Sequence, residues 1–404
     1  MNSISSSMDI GILPRGIRPL VSVFERVAVG TLILTTPEGS KLQFGDGSNP
    51  RADLQLQSWE ALRTIFRNGD IGLAECYRKE FIQTTSLTNL MRLAIRNQEA
   101  LREALLGHPI LRFGYRLRHL LRRNSRRGSA RNIGAHYDLG NDFYRLWLDD
   151  SMTYSSARFA TGHGGCLLQA QQVKYQQMID LTGAKAGDRI LEIGCGWGGF
   201  AEYAASRNIR VHGVTLSREQ LNYARERISN AGLADTATFE LKDYRDLEGS
   251  YDHIVSIEML EAVGENYWNA YFQQLRSLLK PGGRAAIQTI TIDNRHFERY
   301  RRKTDFIQQY IFPGGMLPSP GKLDEMASAY DFHIAHSEYF GRDYAETLRR
   351  WRSRFDDNQS SIREMGFDTS FIRLWRFYLA YCEAGFDEGH IDVMMLQLVR
   401  EKQK

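Results

Sequence analysis

From Arg189 onward the chain alternates short apolar segments with amphipathic ones, and this alternation constrains the fold more than any other feature. Arg189–Ile193 reads as a strand ending in a glycine loop, Phe200–Arg207 as a helix and Val211–Thr215 as a second strand. A helix follows over Ser217–Asn230. Thr238–Leu241, His253–Ile257 and Arg284–Ile292 read as further strands, with Tyr267–Leu279 a helix between the last two. Repeated βα units demand right-handed crossovers and predict an α/β fold with a largely parallel, doubly wound sheet. A ligand then belongs beyond the carboxyl ends of the strands.

The 404 residues exceed what this sheet needs, which points to a second domain. Residues 1–130 read as a small α+β unit. Thr31–Thr36 and Lys41–Gly45 flank Pro37-Glu38-Gly39-Ser40, a hairpin signature, and Asp53–Gln57 adds a third strand. Trp59–Arg67 and Leu87–Leu106 carry helical spacing. Between Arg92 and Arg131 lie eleven arginines and two acids, a local +9 in a chain of net charge +4. Within this block Leu111–Arg123 reads as a basic amphipathic helix, the kind that lies on an anionic lipid surface. The bland reading is a solvated helix face. Asn124–Ser129 breaks the helix and places a domain boundary near residue 130, with a second domain over 131–404.

Several function classes drop out. The four cysteines (Cys76, Cys166, Cys195, Cys382) form no CxxC, so neither a disulfide scaffold nor a zinc knuckle is expected, and a reducing compartment fits. No histidine pair has metal-ligand spacing, so no catalytic metal is expected. No secretory signal is visible at the N-terminus, and the longest apolar run, near Val27–Leu34, is far short of a membrane helix.

The loop Leu191-Glu192-Ile193-Gly194-Cys195-Gly196-Trp197-Gly198-Gly199 differs from a dinucleotide fingerprint in its acid two residues before the first glycine. The second strand ends Gly213-Val214-Thr215-Leu216-Ser217, without the acid that a nicotinamide dinucleotide site asks for. The loop resembles the first motif of class I, Rossmann-like S-adenosylmethionine (SAM) methyltransferases, in which the acid serves the amino-acid end of SAM.

Further segments narrow the resemblance. They are His136–Tyr144, Met152-Thr153-Tyr154-Ser155, Gly213–Gln220, Lys242–Leu247, Tyr310–Ser319 and Phe340–Tyr344. In this order they resemble the cyclopropane-fatty-acyl-phospholipid synthase family, including the mycolic acid cyclopropane synthases, over residues ~131–390. The first 130 residues resemble the extra domain of the phospholipid-acting members.

The resemblance implies SAM-dependent addition of a methyl carbon to a cis double bond of a phospholipid acyl chain, closing a cyclopropane. It implies that Tyr154 and Ser155 hold the carboxylate end of SAM, with Glu192, Gly194 and Gly196 beside the methionine portion. Thr215 and Gln220 would meet the ribose and adenosine, and Asp243 and Tyr244 the adenine. His136 would orient a loop. Proton removal is assigned in the family to a bicarbonate held by a Cys, a Glu, a His, an Ile backbone and a Tyr. This chain matches at Glu261, Ile290 and Tyr344 and departs at Ser156 and Gln288. Serine remains a donor of similar size, but glutamine can never carry positive charge. Ring closure is thus the step in question. Loss of the proton from a chain carbon would give a methyl-branched or methylene product instead.

Arg295–Tyr310 is read as one helix mixing Phe297, Tyr300, Phe306 and Tyr310 with Arg299, Arg301, Arg302 and Lys303: either core plus solvated face, or an acyl-channel wall with a basic rim. Two other classes compete. A nucleic-acid methyltransferase would suit the basic block, but the chain has no Pro-Pro pair and no Pro-Cys nucleophile. A lipid-binding protein on a decayed scaffold is disfavoured by the intact glycine loop and Glu261. The expected partner is therefore a phospholipid at the inner face of the cell membrane, approached from the cytoplasm, with no nucleic acid and with homodimerisation open.

Overall fold

The computed structural model describes residues 13–101 and 139–400. They form two compact units. Of the described residues, one joins 13–101 with Lys303–Gln309 and Gln359–His390; the other takes the rest. The chain therefore enters the first unit three times, where a single cut near residue 130 was expected. That cut, the basic helix 111–123 and His136 lie outside the described residues.

The first unit carries strands β1 (Thr31–Thr35), β2 (Lys41–Gly45), β3 (Arg51–Leu56) and β4 (Ile82–Gln83) in the order β2-β1-β3-β4. The expected hairpin is present, with Thr35 opposite Lys41, and β3 runs parallel to β1. The helix from Trp59 continues to Arg78, past a break at Gly69 (φ 64°), a conformation that glycine adopts without steric cost. The next helix, Leu87–Arg96, stops earlier than its spacing suggests. Asn97 ends it: its side chain accepts from the amides of Ala28 and Val29 at 2.8 and 3.1 Å and donates to Val29 O at 2.7 Å.

Two of the eleven arginines of the basic block are committed here. Arg92 and Arg96 both bind Glu388, at 2.6 and 2.7 Å. The other nine lie outside the described residues.

In the second unit, β5 (Ala160–His163) precedes a seven-stranded sheet. Its strands are β6 (Arg189–Ile193), β7 (Arg210–Thr215), β8 (Ala237–Leu241), β9 (Tyr251–Ile257), β10 (Leu279–Ile292), β11 (Phe332–Tyr339) and β12 (Ile391–Arg400). The order is β11-β12-β10-β9-β6-β7-β8. The run β10-β9-β6-β7-β8 is parallel, as the alternation predicts, and β12 is antiparallel to both β10 and β11. Helix Trp268–Leu278 buries Trp268, Tyr271, Phe272 and Leu275 in the core that also holds Ile254 and Ile287.

The expected helix Arg295–Tyr310 is instead two, Asn294–Tyr300 and Phe306–Tyr310. Phe297 stacks on Trp268 at 6.3 Å, and Phe306 packs in the first unit against Phe377 at 4.8 Å. Arg301 binds Glu265 and Glu298, and Arg302 binds Glu298. These contacts give Phe297 and Phe306 core roles and Arg301 and Arg302 ion-paired ones. Among the described residues no helix is long and apolar enough to cross a membrane.

Candidate active site

The chain winds outward from β6 in both directions: first to β7 and β8, then back to β9 and β10. The carboxyl end of β6 is thus the topological switch point, where a crevice opens. The glycine loop leaves β6 here. Gly194 has φ +85°, and a Cβ on it would stand 2.9 Å from Met259 Cγ. Gly196 has φ +51° with nothing within 4 Å of where a Cβ would be, so this backbone faces open space.

That space is a cavity of about 1380 Å³, its open mouth included. All nine residues that the resemblance assigns to the cofactor line it: Tyr154, Ser155, Glu192, Gly194, Gly196, Thr215, Gln220, Asp243 and Tyr244. Local structure sets each one. Thr215 ends β7, donates to Gln220 Oε1 at 3.0 Å and accepts from Ser217 N at 3.1 Å. Ser217 caps the helix that carries Gln220. Asp243 holds the Arg245 guanidinium at 2.6 and 2.8 Å, which fixes the loop after β8. Tyr154 lies within 5.3–5.6 Å of Tyr144, Trp147 and Trp351, and with Phe312 it presents aromatic rings to the cavity. Such rings favour a cation in front of them.

Two buried titratable groups stand here: Glu192 in the cavity wall and Lys174 beside Ser155. Glu192 Oε2 is buried with no protein group bonded to it. Burial pushes the Glu192 carboxyl well above its ordinary pKa, opposed by Lys174. Lys174, fully buried, donates to Ser155 Oγ at 2.6 Å. Burial pulls its ammonium down, and Glu258 is the strongest charge holding it up. An orphaned carboxylate oxygen, open glycine backbone and aromatic faces suit the ammonium, methionine chain and sulfonium of SAM. Sequence reading missed Lys174 because the helix Leu167–Thr182 that carries it has no clear apolar period.

The proposed proton-removing set is divided differently from expectation. Its centre is Glu258, at the carboxyl end of β9 and in the cavity wall. Glu258 Oε1 accepts from Ser156 N at 2.8 Å and from Gln288 Nε2 at 2.7 Å, and Oε2 accepts from Tyr344 Oη at 2.8 Å. Its backbone has φ +49°, uncommon for a residue with a side chain, and is held there by its own N–H on Gln288 O at 2.8 Å. Burial raises its pKa, against the Lys174 charge and the three donors.

Glu261 does not join this set. It accepts from Thr289 Oγ1 at 3.0 Å and from Ile290 N, so it ties the helix Leu260–Val263 to β10. Burial, helped by the Glu258 charge, pushes its carboxyl up to about 8. Ile290 follows Glu261, while Ser156, Gln288 and Tyr344 follow Glu258. Ser156 also acts through its backbone; its hydroxyl donates to Ala157 O at 2.9 Å. Sequence reading did not single out Glu258; the signal that could have found it is its place at a strand's carboxyl end beside the crevice.

The profile of the mycolic acid cyclopropane synthetase family matches residues 124–396. Tuberculostearic acid methyltransferase UfaA1 of Mycobacterium tuberculosis is 38% identical, covering 96% of this chain and 94% of that protein. Cyclopropane-fatty-acyl-phospholipid synthase of Escherichia coli is 33% identical over 88% of each. The crystal structure of mycolic acid cyclopropane synthase CmaA1, complexed with SAH and CTAB, superposes with a TM-score of 0.63 at 30% identity, covering 67% of this chain and 98% of that one. The switch-point cavity and these likenesses agree: the chain belongs to the mycolic acid cyclopropane synthetase family of SAM-dependent methyltransferases.

Proposed function

We propose that the protein adds the methyl carbon of SAM to the cis double bond of an unsaturated phospholipid acyl chain and closes a cyclopropane. The observation that carries this reading is the cavity wall itself. An open glycine loop, the aromatic rings of Tyr154 and Phe312 and the half-buried carboxylate of Glu258 line one cavity. An alkene is a weak nucleophile, so it must be held in line in a dry site. Its π pair forms the new C–C bond while the C–S pair stays on sulfur, leaving S-adenosylhomocysteine and a carbocation on the chain. Aromatic faces stabilise that cation. Loss of a proton from the new methyl lets its C–H pair close the ring.

A second reading has its own support. Gln288 cannot be cationic, and UfaA1, a methyltransferase by name, matches nearly the full chain. If the proton leaves a chain carbon, its C–H pair makes a new double bond and the product is a methyl-branched alkene. The deciding experiment supplies methyl-labelled SAM and vesicles of a cis-unsaturated phospholipid, then analyses the fatty acids by mass spectrometry and proton NMR. High-field ring protons support the cyclopropane; a labelled branch methyl beside a new olefinic proton replaces it; no label in lipid refutes both.

Association with the inner membrane surface belongs to the same proposal and rests on the charge of the basic block. Each well-placed arginine contributes about 1 kcal/mol towards anionic lipid, weakened by salt. Reversing Arg122, Arg123, Arg126 and Arg127 should reduce binding to anionic vesicles and spare activity on detergent-dispersed lipid. Parental vesicle binding by that variant makes the block a solvated face. RNA in place of vesicles tests the nucleic-acid alternative, and light scattering the dimer.

A further inference from the structure

Bicarbonate, implied by family resemblance, does not fit this site. Three donors that would have to hold it, Ser156 N–H, the Gln288 amide and Tyr344 Oη–H, already bind the Glu258 carboxylate at 2.7–2.8 Å. The expected glutamate and isoleucine amide, Glu261 and Ile290, are bonded to each other. An added anion would meet a fixed carboxylate, and the three donors best placed to offset that repulsion are already engaged by it; Gln288 brings no charge.

We propose that Glu258 is itself the proton acceptor, a built-in carboxylate that makes turnover independent of bicarbonate. This rests on the reading that the protein methylates an acyl double bond. Five features converge. Glu258 lines the cofactor cavity. Three donors from three separate segments fix both its oxygens. Its backbone stands at φ +49°, uncommon for a residue with a side chain. Burial raises its pKa, and the buried Lys174 is the main charge opposing that rise. Glu258 shares the cavity lining with the aromatic rings of Tyr154 and Phe312. In the step, a C–H bond breaks and its proton goes to a Glu258 oxygen: from the new methyl, the electron pair closes the ring onto the cationic carbon; from a chain carbon next to the cation, it forms the new double bond. Glu258 is left as the neutral acid, and returning its proton to water resets the site.

The test uses the full-length protein with methyl-labelled SAM and vesicles of a cis-unsaturated phospholipid. In CO₂-free buffer the parent should turn over within twofold of its rate with added bicarbonate. Glu258→Gln preserves shape and one acceptor oxygen, for Ser156 N and Gln288 Nε2, and turns an NH₂ towards the Tyr344 hydroxyl, which can accept; it should lose ~10²–10⁴ in turnover. Its SAM affinity by calorimetry and its melting temperature should stay near parental. Glu258→Gly frees the three donors and should regain rate on addition of bicarbonate. A parent that stalls without bicarbonate and recovers with it overturns the proposal, whatever the variants do. So does a Glu258→Gln protein of parental turnover. A parent that labels no lipid under either condition refutes the assigned activity and this inference with it, which separates the two failures.

Discussion

The two sides of the cavity are built by different logic. On the β6–β8 side the functional groups come in short local runs: Glu192 to Gly196, Thr215 to Gln220, Asp243 beside Tyr244. Each run is a strand end and the turn that follows, so spacing along the chain fixes its shape. On the β9–β10 side, Glu258 meets Ser156 from 102 residues away, Gln288 from 30 and Tyr344 from 86. No spacing encodes that convergence. It depends on which of two glutamates, three residues apart, points inward, and the turn after β9 decides this.

If the local side is a self-contained backbone cradle, one Cβ should break it. Gly196 faces open space at φ +51°, so Gly196→Val both strains the loop and fills the space the ligand needs. SAM affinity should fall roughly 100-fold or more, about 2.7 kcal/mol. A folded variant with parental affinity in calorimetry would remove the cradle from the cofactor site.

Glu261 sharpens the other side. Glu261→Ala leaves Ile290 N–H and the Thr289 hydroxyl without their acceptor and should cost about 1–3 kcal/mol of stability by denaturant unfolding. Glu261→Gln keeps an acceptor oxygen. Its effect depends on pH with a definite sign, because the folded carboxyl is raised to about 8. The stability such a group lends is full below the unfolded pKa, near 4.3, and is lost as pH rises through 8. Glu261→Gln should therefore gain on the parent in melting temperature between pH 5 and 8, with turnover within about tenfold. A loss of turnover matching that of Glu258→Gln would merge the two carboxylates into one function.

The same contrast explains what was legible. The five parallel strands were readable to within a few residues, except that β10 begins at Leu279, because each is a short apolar run between turn signals. β11 and β12 were not read. Phe332–Tyr339 is an edge strand with mostly exposed side chains and mixed polarity. Ile391–Arg400 is an apolar run whose pairing between β10 and β11 only the tertiary fold specifies. The helix Thr369–Asp387 lies late in the chain yet belongs to the first unit, so contiguity in sequence misassigns it. In the site, cofactor-side positions followed from motif spacing, while Glu258, Lys174 and the backbone role of Ser156 required three-dimensional neighbours.

Lys174 links the two sides, since it binds Ser155 and its charge acts on Glu258. Lys174→Met removes that charge and lets burial push Glu258 further up. A proton acceptor must be ionised, so the acid limb of the pH–rate profile should move to higher pH, and turnover at pH 7 should fall. An unmoved acid limb would mean that Lys174 serves only to hold Ser155.

The smallest expected effect extends the contrast to the first unit. Arg92 and Arg96 belong by sequence to a basic block read as lipid-facing, yet their partner, Glu388, is 296 and 292 residues away. Burial works to raise the Glu388 carboxyl, but the donors of Arg96 and Arg92 outweigh it and lower the pKa. That contribution to stability is present above the unfolded glutamate value and is lost as pH falls through the folded one. The arginine side chains are about one-third exposed, so each pair should contribute only ~0.5–1 kcal/mol. A double-mutant cycle of Arg96→Met with Glu388→Gln should show that coupling at pH 7 and lose it in acid. Binding of Arg92→Met and Arg96→Met proteins to anionic vesicles should match the parent, in contrast to reversal of Arg122, Arg123, Arg126 and Arg127. Reduced vesicle binding without loss of stability would return Arg92 and Arg96 to the lipid face, and charge density along the sequence would then have been the better guide than the ion pairs.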